Sequence, residues 1–187
     1  MAQPILDRMS LSTKELTQHD RMFAISVIGR LRQNQLYDFL KSRYKKEDGY
    51  EVKSYDRYSV FPDVVVFHNG VPVMAIEIKN YGVDKYMSKR VFDRILFKFS
   101  CVPKDCYKLL VVSSENNLII KQPKYSHNKQ YTSYTILYNN YVYTEEFLKK
   151  LGIHVMIMGR QDRPFMFEAS KYECINWDNV KWDDINE

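Results

Sequence analysis

The sequence predicts an α/β fold in which a central mixed β-sheet is flanked by helices. The main observation is a hairpin: residues 61–67 and 71–80 are two nearly continuous apolar runs, joined by the strong turn signal His68-Asn69-Gly70. Strands this apolar are typical of a sheet that is covered on both faces. Helical and extended segments also alternate along the chain, as they do in a single α/β domain.

Two helical stretches and one strand are predicted before the hairpin. Ser12-Thr13-Lys14-Glu15 is a capping-box pattern, and it predicts a helix that begins there and pauses near Gln33-Asn34. A second helix is predicted from Gln35 to Lys45, with Leu36, Phe39 and Leu40 on one side. Residues 50–58 alternate loosely and predict a strand.

The predicted elements continue after the hairpin. Residues 84–99 predict a helix, and residues 108–113 a buried strand that lies parallel to a neighbour after a right-handed crossover. Residues 116–131 have little periodicity. A strand over 132–138, a helix over 144–150 with Thr144 as its N-cap, and a last buried strand over 153–158 follow. We expect one domain with a core of about 12–160 and an acidic extension over 161–187.

Charge and composition narrow the class of partner. The net charge is +5, but residues 173–187 carry five acids and one base, so residues 1–172 carry +9. That excess favours a polyanionic partner, although many solvated surfaces are also rich in lysine. The three cysteines lack Cys-x-x-Cys spacing and predict free thiols in a reducing compartment. No apolar run approaches a membrane span and no secretory leader is evident, so we expect a cytoplasmic protein without a membrane partner.

Three charged residues interrupt the apolar hairpin. Asp63 stands at the head of the first strand, and Glu77 and Lys79 stand at the tail of the second. In an antiparallel hairpin these two ends are adjacent, and residues two apart on a strand share a face. Two carboxylates and an ammonium are therefore expected to converge, which is costly in a covered sheet unless they bind something.

These residues also resemble a known signature. Pro62-Asp63, thirteen intervening residues and Glu77-Ile78-Lys79 resemble the Pro-Asp…(Asp/Glu)-x-Lys pattern of the PD-(D/E)xK nuclease superfamily. The order helix, strand, hairpin, helix, strand over residues 12–113 is similar to that family's restriction-endonuclease-like core. The compact layout is most similar to archaeal Holliday-junction resolvases and small viral nucleases.

The resemblance implies a catalytic metal site for Mg²⁺ or Mn²⁺. Asp63, Glu77 and the backbone carbonyl of Ile78 would be oxygen ligands, and Lys79 would stabilise the attacking water or the developing phosphate charge. The first helix of such proteins often adds an acid, for which Glu15 is the best candidate and Asp20 the next. Alternatives remain open, because a Glu-x-Lys pair on a strand is commonly a solvated ion pair and the capping box already accounts for Glu15.

A nucleic-acid surface is expected beside the motif. The helix that follows it carries a basic stripe, and the aperiodic segment after the next strand mixes cations with tyrosines. These positions would contact phosphates without reading sequence, unless they form only an ordinary solvated face and loop. The candidates are Lys85, Lys89, Arg90, Arg94 and Lys98 on the helix, and Lys124 and Lys129 in the later segment.

The sequence thus favours a metal-dependent endonuclease that hydrolyses phosphodiester bonds of duplex or branched DNA, acting as a homodimer in the cytoplasm (the host cytoplasm if the chain is viral). Two alternatives stay open. One is a nucleic-acid-binding or assembly module that keeps the fold without cleavage, and the other is a nuclease that acts on RNA.

Overall fold

The structure, a computed structural model, describes residues 18–79, 85–124, 133–136 and 141–157. Side chains are described for residues 27, 29–79, 85–122 and 141–157. Within these ranges the helices are α1 (Gln18–Arg43), α2 (Lys89–Ser100) and α3 (Tyr141–Lys150). The strands are β1 (Tyr50–Ser54), β2 (Val64–His68), β3 (Val71–Lys79), β4 (Met87–Ser88), β5 (Tyr107–Val112), β6 (Ile120–Lys124), β7 (Ser133–Ile136) and β8 (Ile153–Ile157).

Five of the strands form the mixed central sheet that the sequence predicts. Their spatial order is β1-β2-β3-β5-β8. The pairs β1/β2 and β2/β3 are antiparallel, whereas β3/β5 and β5/β8 are parallel. The remaining strands form a small sheet of order β4-β6-β7. The chain is therefore α/β, as expected.

The β2–β3 hairpin has the tight turn that Asn69-Gly70 predicts. Both residues have positive φ, 50° for Asn69 and 81° for Gly70, a combination that suits the right-handed twist of the flanking strands. The register places Val64 opposite Ile76. The residue before β2 therefore lies next to the end of β3, and this register determines the position of the candidate site.

The sheet is covered on both faces, and alternate residues of each strand belong to different clusters. Leu36 and Leu40 of α1 pack on the face that carries Val64 and Ile76. The opposite face carries Val65, Ala75 and Leu110. It packs against Phe92, Ile95 and Phe99 of α2 and Leu148 of α3. Strand side chains alternate between the two faces of the sheet, and each helix places its apolar residues on one side. Together these two patterns produce three layers.

Four local expectations need correction. α1 does not pause at Gln33-Asn34, because neither residue breaks a helix. Gln33 hydrogen bonds to the Asp63 carbonyl, and Leu36 in the next turn packs on the sheet. α2 begins at Lys89, not at 84, since Met87–Ser88 is paired with β6 and Ser88 Oγ caps the helix by accepting from the Val91 N–H at 3.4 Å. Thr144 is fully buried inside α3 and does not cap it. Residues 116–131 include a strand, β6.

Candidate functional site

The structure brings Asp63, Glu77 and Lys79 together at one end of the β2–β3 hairpin. Asp63 precedes β2, and the other two residues end β3. All three fall on the α2 side of the sheet by strand alternation, because Val65 and Ala75 of the same strands belong to that face. The Glu77 side chain is 1% exposed and that of Lys79 is 21% exposed.

The two carboxylates clamp the strand ends through reciprocal hydrogen bonds. The Asp63 N–H donates to Glu77 Oε2 at 3.1 Å, and the Ile78 N–H donates to Asp63 Oδ2 at 2.9 Å. Lys79 Nζ donates to Glu77 Oε1 in an ion pair. The side chain of Ile78 belongs to the cluster on the α1 side, as expected for a residue between two that face α2.

A second lysine, Lys98 of α2, completes the cluster. Its Nζ lies 3.0 Å from Glu77 Oε2 and 3.3 Å from Asp63 Oδ1, and its side chain is 2% exposed. Lys98 therefore does not belong to the exposed basic stripe expected from the sequence. At about 100° per residue it lies ~20° from Val91 around the helix, at the edge of the apolar arc and next to Arg94 of the basic stripe.

Burial raises the pKa of Glu77 above its ordinary value of 4.5, and the nearby Asp63 carboxylate raises it further. The attraction of Lys79 and Lys98 opposes this rise only in part. The folded chain therefore retains the Glu77 proton over a pH range in which the unfolded chain has released it. This contribution to stability is fully present below about pH 4.5 and is lost as the pH rises through the raised pKa.

A substitution can test whether ionisation of Glu77 lowers the stability of the folded chain as the pH rises. Relative to Glu77→Gln, which cannot ionise, the wild-type chain should lose free energy of unfolding as the pH rises from about 4.5. Urea denaturation in EDTA across the acidic and neutral range measures the difference. Glu51→Gln removes an exposed carboxylate on β1 and should run parallel to wild type. A wild-type curve parallel to that of Glu77→Gln would contradict the raised pKa.

The charged cluster borders an open cleft of about 600 Å³. Asp63, Ile78 and Lys79 lie in its wall, and Glu77 lies behind them. The other walls come from α1 and from the segment after β1. The lining residues there are Gly29, Arg30, Gln33 and Asn34 from α1, and Ser54, Tyr55, Asp56, Arg57 and Tyr58 from the segment after β1.

Gln33 connects α1 to the end of β1 and to the residue that precedes β2. Its Nε2 donates to the Asp63 carbonyl at 2.9 Å and to Ser54 Oγ at 3.0 Å, and it also donates to the Tyr55 carbonyl. On the other side Arg94 of α2 donates to the carbonyl of Arg57. The segment between β1 and β2 is thus held by both helix layers, and Tyr58 on it is 73% exposed.

Searches of protein families, curated proteins and solved structures gave no match to this chain. The site is therefore interpreted from its own residues. Among the side chains that the structure describes, no three His, Cys, Asp or Glu groups converge as a metal site. Two carboxylates do share one cation, since Lys98 Nζ bridges them. Their oxygens suit a small hard cation, so the pair fits Mg²⁺ or Mn²⁺ with few protein ligands.

Of the nucleic-acid contacts expected on α2 and just before it, some are exposed and others are paired within the protein. Lys85 and Arg90 are exposed. Lys89 forms an ion pair with Asp93 at 2.5 Å, and Arg94 binds the Arg57 carbonyl. The cations in the cleft wall are instead Arg30, Arg57 and Lys79.

Other sequence predictions lie outside the described residues. Glu15 and Lys129 do so entirely, and for Asp20 and Lys124 only the backbone is described. Of the cysteines, Cys101 and Cys106 are free thiols, and burial raises the pKa of Cys106 to about 12, so this thiol is a poor nucleophile. None of the described helices has the length and apolar character needed to cross a bilayer.

Sequence reasoning did not identify Gln33, Arg30 and Arg57 as site residues. Gln33 and Arg30 are three apart on α1 and share a face, but the sequence does not say which face meets the hairpin. Arg57 lies after β1 in a loop whose path no periodicity predicts. Lys98 carried an ambiguous signal, because around the helix it lies between the apolar residue Val91 and the basic residue Arg94.

Proposed function

We propose that this chain is a metal-dependent endonuclease of the PD-(D/E)xK type that hydrolyses phosphodiester bonds in DNA. The observation that carries the proposal is that the Asp63 and Glu77 carboxylates both contact one cation, the Lys98 ammonium, beside an open cleft. Lys79 lies in the wall of the same cleft. The element order α1, β1, β2–β3 hairpin, α2, β5 supports it, because the same order characterises the restriction-endonuclease-like core.

A purely structural role accounts poorly for the cluster. Burying the charges of Asp63, Glu77 and Lys98 costs several kcal/mol of desolvation for each ion, on the order of what their attraction returns, and apolar residues of similar volume often serve stability as well. The cluster also borders a cleft that is open to solvent. Buried charges beside a cleft are more typical of a functional site than of a structural ion pair.

Asp63 and Glu77 would hold the divalent ion, with the Ile78 carbonyl as the further ligand that the resemblance implies. When bound, Mg²⁺ or Mn²⁺ would polarise a phosphate oxygen and lower the pKa of a coordinated water. The Ile78 N–H donates to Asp63 Oδ2 at 2.9 Å, so the main chain of Ile78 lies next to a proposed ligand. Glu15 remains the proposed additional acid.

Lys79 would stabilise negative charge on the reacting phosphate. Its ammonium already pairs with Glu77, and its side chain is partly exposed in the cleft wall. A fixed cation at this place favours the transition state, in which the phosphoryl oxygens carry more charge than in the substrate. Cutting both strands of a duplex would need two such sites, which a homodimer would supply.

The cleft cations would hold the DNA backbone. Replacing Arg30 and Arg57 together by Gln should weaken DNA binding and reduce the slope of log K against log salt by up to about 2, since each lost phosphate contact removes ~0.9. Binding titrations at several salt concentrations measure this slope. Lys149→Gln with Lys150→Gln, at the exposed end of α3, is the matched control. An unchanged slope in the cleft variant would place the DNA elsewhere.

Cleavage of a substrate panel tests the function itself. The panel contains supercoiled, linear and four-way-junction DNA and a single-stranded RNA, each with Mg²⁺ or with EDTA. We expect DNA cutting that requires Mg²⁺. Cutting of RNA alone would favour the ribonuclease alternative, and binding to DNA without cutting would favour the non-catalytic module.

A further inference from the structure

Lys98 places a buried ammonium between the two carboxylates of the candidate site. Its Nζ is 3.3 Å from Asp63 Oδ1 and 3.0 Å from Glu77 Oε2. These oxygens belong to different carboxylates and face the same cation. An ion that bridged Asp63 and Glu77 would take the same position, so the ammonium and a divalent ion would compete for one place.

Lys98 reaches this place from the protein interior. Lys79 approaches Glu77 from the cleft wall, whereas Lys98 extends from the buried face of α2, beside Ile95 and Phe99. Without Lys98, Asp63 would lose its lysine partner, and the two carboxylates would repel each other while largely buried. Like charges that share a buried site strongly destabilise the doubly ionised state.

We propose that Lys98 is a built-in counter-ion that occupies the divalent-ion position in the metal-free chain and competes with the metal for it. The inference rests on the proposed metal site. Lys98 stabilises the hairpin end before the ion arrives and weakens the affinity for the ion. The ammonium leaves the space between Asp63 and Glu77 when the ion enters, while its stem remains anchored on α2.

Calorimetric titration of the metal-free protein with Mn²⁺ or Mg²⁺ alone tests this. Lys98→Met should bind the ion at least about tenfold more tightly than wild type, because a unit charge has been removed within a few ångströms of it. The same variant should unfold at a lower temperature in EDTA and gain more from saturating Mn²⁺ than wild type gains. Lys89→Met, which removes an exposed cation from the same helix, should match wild type in both measurements.

The outcomes separate this inference from the function on which it rests. Ion binding by wild type with equal or weaker binding by Lys98→Met would overturn the competition and leave the metal site intact. No ion binding by either protein would overturn the metal site and the inference together. A variant that folds only after Mn²⁺ is added would support both.

Two further measurements serve if Lys98→Met does not fold at all. Lys98→Gln keeps a hydrogen-bond donor on a shorter side chain without the charge, and it should also bind Mn²⁺ more tightly. In the wild-type chain, Lys98 and Lys108 are the two lysines that the described residues bury, and Lys108 Nζ donates to the Lys104 carbonyl, away from the carboxylates. In an NMR spectrum of lysine-labelled protein, these two side chains should give solvent-protected ammonium signals, and Mg²⁺ should change only the signal of Lys98. If both signals persist unchanged at saturating Mg²⁺, Lys98 has not moved and the inference fails.

Discussion

Glu77→Gln should reduce metal-dependent DNA cleavage by about 10³-fold and leave DNA binding close to wild type. The substitution keeps the size of the side chain and an acceptor for the Asp63 N–H, which now donates to Glu77 Oε2 at 3.1 Å. It removes one of the two negative charges that would hold the ion. DNA contacts are expected from cleft cations, so affinity should change little.

Single-turnover cleavage rates and equilibrium binding, measured on the same protein batches, separate the two effects. Glu51→Gln on β1 is the matched control, because its carboxylate is exposed and pairs with Lys53 outside the cleft. If Glu77→Gln cut DNA near the wild-type rate, Glu77 would be a structural clamp for the hairpin and not part of the reacting site.

Lys79→Met should lower the cleavage rate by about 10²- to 10³-fold, with ion affinity equal to or tighter than that of wild type. The methionine keeps most of the volume of the side chain but removes the ammonium that pairs with Glu77 in the cleft wall. Loss of charge stabilisation in the transition state affects the rate, whereas loss of a cation beside Glu77 cannot weaken metal binding. A combined fall in rate and in ion affinity would contradict this division of roles.

Lys53→Met is the matched control for Lys79→Met. Lys53 is also a strand lysine paired with a glutamate, and it lies on β1, outside the cleft lining. Its loss should change neither the cleavage rate nor the Mn²⁺ affinity. An equal loss of activity in both variants would mean that the rate responds to net charge and not to the position of Lys79.

Much of the sheet could be predicted because its signals are local. Asn69-Gly70 determines the turn, and a one-residue register shift between Val66 and Phe67 then places Asp63 beside Glu77. The apolar character of β2, β3 and β5 predicts strands covered on both faces, and the two clusters confirm this. In these segments turn chemistry, propensity and burial all favour the same structure.

The elements that were missed depend on tertiary contacts. β6 has the sequence Ile-Lys-Gln-Pro-Lys, which lacks an alternating apolar pattern, and its hydrogen bonds come from β4 and β7 on either side. The start of α2 is delayed because Met87–Ser88 pairs with β6. No pattern within either segment reports a partner that is distant in sequence.

The site was predictable only in part for the same reason. Asp63, Glu77 and Lys79 lie on one hairpin, so their convergence follows from local geometry. Lys98 joins them through the packing of α2 on the sheet, and its burial at the edge of the apolar arc is clear only once that packing is known. The sequence alone therefore does not decide whether a charged residue at the edge of an apolar arc faces the interior or the surface.

Cleavage of supercoiled plasmid by wild type and by Asp63→Asn, purified in the same way, tests the central claim most directly. Asp63 contacts the Lys98 ammonium together with Glu77, and it borders the cleft. Asparagine keeps the shape of the aspartate side chain and removes its charge. We predict that wild type converts the plasmid to nicked or linear DNA in Mg²⁺ and not in EDTA, and that Asp63→Asn leaves it supercoiled in both. Equal cutting by the two proteins, or DNA binding by wild type without any Mg²⁺-dependent cutting, would contradict the assignment.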